Sequence, residues 1–278
     1  MWRFVLLLSF FPCFAQAQDE VAEADTAKEV AKILIIPFEE KLFYCDIMRD
    51  LTVVNKLTQQ QIFDRFRNEI QLSLKTALKD SMETATFINT DSITDEDLID
   101  IYSVLGYKFV PVPAIEELDE KGKPKKTKKK VEPKKEVGIR KGQVVAERQV
   151  SERYMNAFLK DKAVLSKLDS VYGLNRFLFI NQMDVKMDLS DPETAFLDPR
   201  RVVAIHYTIM DKTGKQVSGG LASAQFAGTE SNMNHIIGGC FYKLSAEVMK
   251  SLMIAEKRAE EEAEKEPNRQ SKKSRKDN

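Results

Sequence analysis

Tyr172 to Met187 reads YGLNRFLFINQMDVKM, a stretch in which a helix is predicted to stop at Gly173 and a strand to start at once. Phe177, Leu178, Phe179 and Ile180 form an unbroken apolar run, the pattern of a strand covered on both faces. Met183, Val185 and Met187 then alternate with Gln182, Asp184 and Lys186, so the strand is expected to begin buried and end half-exposed. Upstream, Asp161 caps a helix over Lys162 to Tyr172 with Val164, Leu165, Leu168 and Val171 on one side. Downstream, Asp188 to Arg201 reads as a long turn, Arg201 to Met210 as an alternating strand, Asp211 to Gly214 as a turn, and Gln216 to Phe226 as a returning strand of small residues. Three antiparallel strands in sequence are the simplest arrangement.

The rest of the chain supplies partners for that sheet. Lys32 to Phe38, KILIIPF, is predicted as an interior strand that ends at Pro37, which has no N–H to give a ladder. Glu39 to Leu57 shows no period and reads as a loop. Thr58 and Gln61 form a capping box for a helix to about Asp80, with Ile62, Phe66, Ile70 and Leu74 at four-residue spacing. Ala85 to Asn89 is a short strand. Thr94 opens a helix with acidic Asp95, Glu96 and Asp97 in its first turn, which Gly106 is expected to end. Tyr107 to Val112 is strand-like up to its prolines, Gln143 to Gln149 reads as a strand and Ser151 to Leu159 as a short helix. The final helix, about Asn232 to Lys265, places Ile236, Cys240, Phe241, Leu244, Val248 and Leu252 on one face. The predicted class is therefore α/β: a single mixed sheet with antiparallel C-terminal strands, flanked by helices, over residues 32–254.

Composition divides the remainder. The chain has 278 residues, 43% hydrophobic and 31% charged, ample for one sizeable core. Its zero net charge conceals segregated blocks, so local patches matter more than the total. Residues 1–17 have the make-up of a signal peptide: Arg3, an apolar run from Phe4 to Phe14 too short to span a bilayer, and the A-x-A site Ala15-Gln16-Ala17. A lipoprotein reading through Cys13 lacks the small residues such a site wants. An exported, periplasmic chain beginning near Gln18 is expected, with a mobile acidic leader over 18–31 and no transmembrane span. Residues 114–142 are predicted to be a disordered insertion: eleven Lys or Arg fall between Lys121 and Lys141, with Pro124 and Pro133 among them and almost no large apolar side chains. Residues 255–278 read as a charged helical extension and a disordered basic tail.

Two cysteines remain after cleavage, in an oxidising compartment. A Cys45–Cys240 disulfide closing most of the domain, worth ~4 kcal/mol through the unfolded state, is one reading; two separate buried thiols are the other.

Four places carry a resemblance: KILIIPF as the opening strand, Ser170-Val171-Tyr172-Gly173 before LNRFLFINQMDV, the hairpin TIMDKTGKQVSGG, and the closing helix FYKLSAEVMKSL. The order of elements resembles the CsgG-like secretion proteins, the amino-terminal domain of TolB and the lipoprotein activators of penicillin-binding proteins. That resemblance implies a compact α/β domain serving as a protein-contact module in the cell envelope. The chain is expected to depart from it, with neither pore-forming segments nor a following propeller.

No catalytic signature emerges. His206 and His235 are the two histidines; neither has partners at metal-binding spacing, and His206, alternating with Val203, Ile205 and Tyr207, is expected at the surface or in a groove. Ser218-Gly219-Gly220 follows no phosphate-loop pattern, and its glycines are expected to mark a bulge or a close approach. The expectation is a non-enzymatic protein without cofactor or metal, binding envelope proteins. The alternative is a binder of an anionic glycan or lipid, through Lys125, Lys126, Lys128, Lys129, Lys130, Lys134 and Lys135 as candidate partner-contact residues or the groove near His206. Nucleic acid is not expected, because no aromatics interleave the lysines.

Overall fold

The computed structural model describes residues 31–88, 93–113, 138–140, 143–145, 152–188 and 199–274. The signal peptide, nearly all of the acidic leader and the seven candidate lysines fall outside the described residues.

A six-stranded mixed sheet runs β10 (Gln216–Ala227), β9 (Arg200–Asp211), β8 (Arg176–Met187), β1 (Lys32–Ile36), β3 (Glu83–Thr86), with β2 (Phe43–Cys45) on the far half of β8. Its centre is β8, parallel to β1 and antiparallel to β9, which pairs in turn with β10. On its outer side β1 pairs in parallel with β3. The predicted α/β class with antiparallel C-terminal strands is thus the observed one. Gly173 ends α4 (Ala163–Tyr172) with φ of 65°, a left-handed conformation that glycine adopts without strain, and its N–H bonds to Asp169 O.

Both faces of the sheet are covered. Ile33, Ile35, Leu178, Ile180, Met183 and Val185 point into a core shared with α1 (Met48–Asn55), α2 (Gln59–Leu78) and α5 (Met233–Ser274). Leu34, Ile36, Phe177 and Phe179 point the other way, toward α3 (Asp95–Val104), α4 and the strand pair β4 (Leu105–Pro111) and β7 (Arg153–Leu159). Odd-numbered residues of β8 therefore change face along the strand, and a bulge between Ile180 and Gln182 makes the change possible. Asn181 is the extra residue.

Five expectations are corrected here. Glu39 to Leu57 is not one loop: it holds a 3-10 turn, β2 (Phe43–Cys45) and α1, too short and too exposed to leave a period, with only Leu51 of α1 buried. Ser151 to Leu159 is not helical. It contains β7, whose buried Asn156 disguises the alternation. Gly106 does not stop α3, which ends at Val104; Gly106 lies inside β4, under the Phe158 ring. Gly138–Arg140, assigned by composition to the disordered insertion, form β5, paired with β6 (Gln143–Val145). The last helix also runs on to Ser274, past the predicted Lys265. Among the described residues no helix is long and apolar enough to cross a membrane.

Candidate functional site

Strand β7 meets the main sheet edge-on, and the sheet answers it with side chains in place of a backbone ladder. Met155 N–H donates to His206 Nδ1 at 2.8 Å and Ala157 N–H to Thr208 Oγ1 at 3.0 Å, while Asn181 Nδ2 donates to Met155 O at 2.7 Å. Asn181 Nδ2 also reaches Thr208 Oγ1 at 2.8 Å, and that hydroxyl donates to Asn156 Oδ1 at 2.9 Å. The chain continues outward: Tyr154 OH donates to the same Asn156 oxygen, Asn156 Nδ2 to Gln216 Oε1, and Gln216 Nε2 to Tyr154 OH. Every one of these groups would be costly to bury alone. Burial raises the Tyr154 and Tyr207 phenols above their ordinary value, so both stay protonated.

His206 is buried, at 4% exposure, and lines no groove along β10, which corrects its predicted position at the surface or in a groove. The physical reason is β7, which covers this face of the sheet. Because Nδ1 accepts from Met155, the ring proton sits on Nε2, which has no hydrogen-bond partner and lies 3.7 Å from Asp184 Oδ2. Asp184 is also buried, against its predicted half-exposure; it accepts from Lys186 Nζ at 2.8 Å and from Gln182 Nε2. Burial pushes its carboxyl up, but the neighbouring His206 Nε2 and the donors Lys186 and Gln182 together hold it down at about 2.

A depressed carboxylate stabilises the fold above its unfolded value near 4 and loses that contribution as pH falls toward the folded value. Asp184 should therefore contribute ~2 kcal/mol at neutral pH, lost mostly between about pH 4 and pH 2. Urea midpoints from pH 7 to pH 2 for wild type and Asp184→Asn check this: the two curves should converge at the acid end, and parallel curves refute it.

A groove lies beyond the outer end of the network, along edge strand β10. This groove of about 560 Å³ runs between Pro111–Pro113 at the end of β4 and the helix α5 residues Glu247, Lys250, Ser251 and Ile254, with Val217 to Leu221 of β10 as its floor. The Ser218 and Ser251 hydroxyls meet across it at 2.6 Å. A Cβ on Gly219 would stand 2.7 Å from Gln216 Nε2 and 2.9 Å from the Tyr154 hydroxyl, so any side chain there would displace the outer end of the network. The predicted bulge beside these glycines is present, between Gln216 and Ser218.

The other candidate residues do not join this site. Cys45 on β2 and Cys240 on α5 are free thiols. Burial, with a smaller push from Asp46, raises Cys45 to about 12, and burial raises Cys240 as well, so neither has the character of a nucleophile. His235 is exposed and pairs with Glu230 at 2.9 Å. Among the described residues no three His, Cys, Asp or Glu side chains converge as metal ligands. Sequence reasoning missed Asn156, Asn181 and Thr208 altogether. Their signal was chemical: the positions taken for an open sheet face carry short neutral donors and acceptors in place of the Lys and Glu that water favours.

No family model matches this chain, and no curated protein or solved structure matches it either.

Proposed function

We propose that this protein is a non-enzymatic interaction module of a bacterial envelope or secretion assembly, exported to the periplasm by residues 1–17. The observation that carries the reading is the groove along β10. It joins apolar walls, Pro111, Pro113, Val217 and Ile254, to a few polar groups, and the thiols and histidines of the described residues all lie outside its lining. Such a surface suits recognition of a partner's shape. The sequence resemblance to CsgG-like and TolB amino-terminal domains, read from KILIIPF and the Tyr172–Met187 stretch, implies the same role class. A second reading, binding of an anionic glycan or lipid, is favoured by the eleven basic residues between Lys121 and Lys141.

In-cell photocrosslinking separates the two. A benzophenone amino acid at Val217, in the groove, should give a protein adduct absent when the probe is at Val53, on the exposed side of α1. Adducts to lipid or glycan alone, or a leader-intact chain in the cytosol, overturn the proposal. Envelope binding abolished by deleting residues 121–141 and steeply weakened by salt instead supports the second reading.

A further inference from the structure

Among the described residues the outer edge of β10 is closed by α5 at Ser223 and open at the groove. Ser223 N–H donates to Glu247 Oε2 of α5 at 3.0 Å, so Ser223 turns its backbone groups away from β9. In an antiparallel ladder this orientation repeats every second residue, and Ser223, Leu221 and Gly219 sit in unbroken register against Ala204, His206 and Thr208. The N–H and C=O groups of Gly219 and Leu221 therefore also face outward. At Ser223 the helix closes the edge; at Leu221 and Gly219 no protein group meets it among the described residues. Gly219 is buried nonetheless, so its amide opens into the groove and not to bulk water, the situation in which an unpaired backbone group is costly.

We infer that the groove receives an extended polypeptide segment of a partner protein, which adds as a strand to β10 at Gly219 and Leu221 and places a carboxylate against Lys250. The inference rests on the protein-contact reading above and names the chemistry of its partner. Strand-wise pairing follows from the repeat: donors and acceptors spaced two residues apart along one edge match an extended backbone, and a sugar or lipid head group has no such repeat. The apolar walls at Pro113 and Ile254 accommodate a side chain of the incoming strand. The acidic preference follows from charge. Glu247 is occupied by the Ser223 amide, whereas exposed Lys250 has no ion-pair partner among the described residues. Pairing with a second copy through the same edge is disfavoured because α5 walls one side of the groove in each copy.

The test uses the full mature chain and a phage-displayed library of random linear dodecapeptides. Enriched peptides should alternate apolar residues and carry at least one Asp or Glu. N-methylation of every second peptide amide should weaken binding ten-fold or more, with methylation of the intervening amides nearly silent. Amide exchange at Gly219 and Leu221 should slow on binding, and Lys250→Glu, at an exposed position, should cost about five-fold in affinity. Peptides indifferent to N-methylation, or no enrichment at all, overturn strand addition. If the Val217 photocrosslink to a protein persists in that case, the protein-contact reading survives without it; if the crosslink goes only to lipid or glycan, both fall.

Discussion

Replacing Thr208 by valine, which keeps the shape and removes the hydroxyl, should destabilise the protein by ~3 to 4 kcal/mol. Thr208 is fully buried, and its single oxygen accepts from Ala157 N–H and Asn181 Nδ2 while donating to Asn156 Oδ1. Valine leaves all three partners facing an apolar methyl. A stranded buried donor or acceptor costs ~1 to 3 kcal/mol, and partial relaxation of the two asparagines keeps the sum below three full penalties. For a domain of this size the melting temperature should fall by about 10 °C. Thr208→Ser, which keeps the hydroxyl, should lose less than half as much. The amides of Met155 and Ala157 should exchange faster in the valine variant, since they pin β7 to the sheet. A loss below about 1 kcal/mol would mean that β7 is held by apolar packing alone, through Ala157 and its neighbours.

This network also marks where reading the chain succeeded and where it stopped. Strands β1 and β8 were legible because ILII and FLFI are covered on both faces, and such strands declare themselves by composition without reference to any neighbour. The starts of α2 and α3 were legible for the same local reason: Thr58 with Gln61 and Thr94 with Asp97 form reciprocal caps within four residues. Strand β7 was not, because its identity depends on what it touches. With Asn156 and Ala157 both buried and Phe158 half out, RYMNAFL alternates cleanly in neither burial nor polarity. Once β7 is misplaced, the outward reading of His206 and the exposed reading of Asp184 follow automatically. Both errors are one error, made at β7 and propagated across the sheet. The groove was hidden for a related reason: it is made by Pro111–Pro113, β10 and α5, segments distant in the chain, and only the glycines of β10 hinted at it.

Helix α5 is one wall of that groove, so whatever fixes α5 to the body also shapes the proposed site. The fixing point is aromatic. Phe66 of α2 is fully buried, with its ring centre 5.7 Å from that of Phe241 on α5 and 5.6 Å from that of Phe43 on β2. Phe66→Ala removes the ring that both neighbours lean on and should cost ~3 to 5 kcal/mol, the transfer loss plus a cavity that two helices cannot close without sliding. Ser245 Oγ bonds Ser73 Oγ at 2.8 Å one turn further along, which resists that sliding and favours the upper half of the range. Tyr242→Ala serves as the control: it is the next residue after Phe241, 60% exposed, and should change stability by no more than about 0.5 kcal/mol. Chemical denaturation of both variants gives the comparison. If Phe66→Ala loosens α5 without unfolding the sheet, amide protection should fall along Phe241 to Leu252 while β8 stays protected, and peptide binding at Gly219 should weaken with it. Equal losses for the two substitutions would mean that α5 is held by its aliphatic residues Leu244, Val248 and Leu252, and that the three-ring cluster is incidental to the groove.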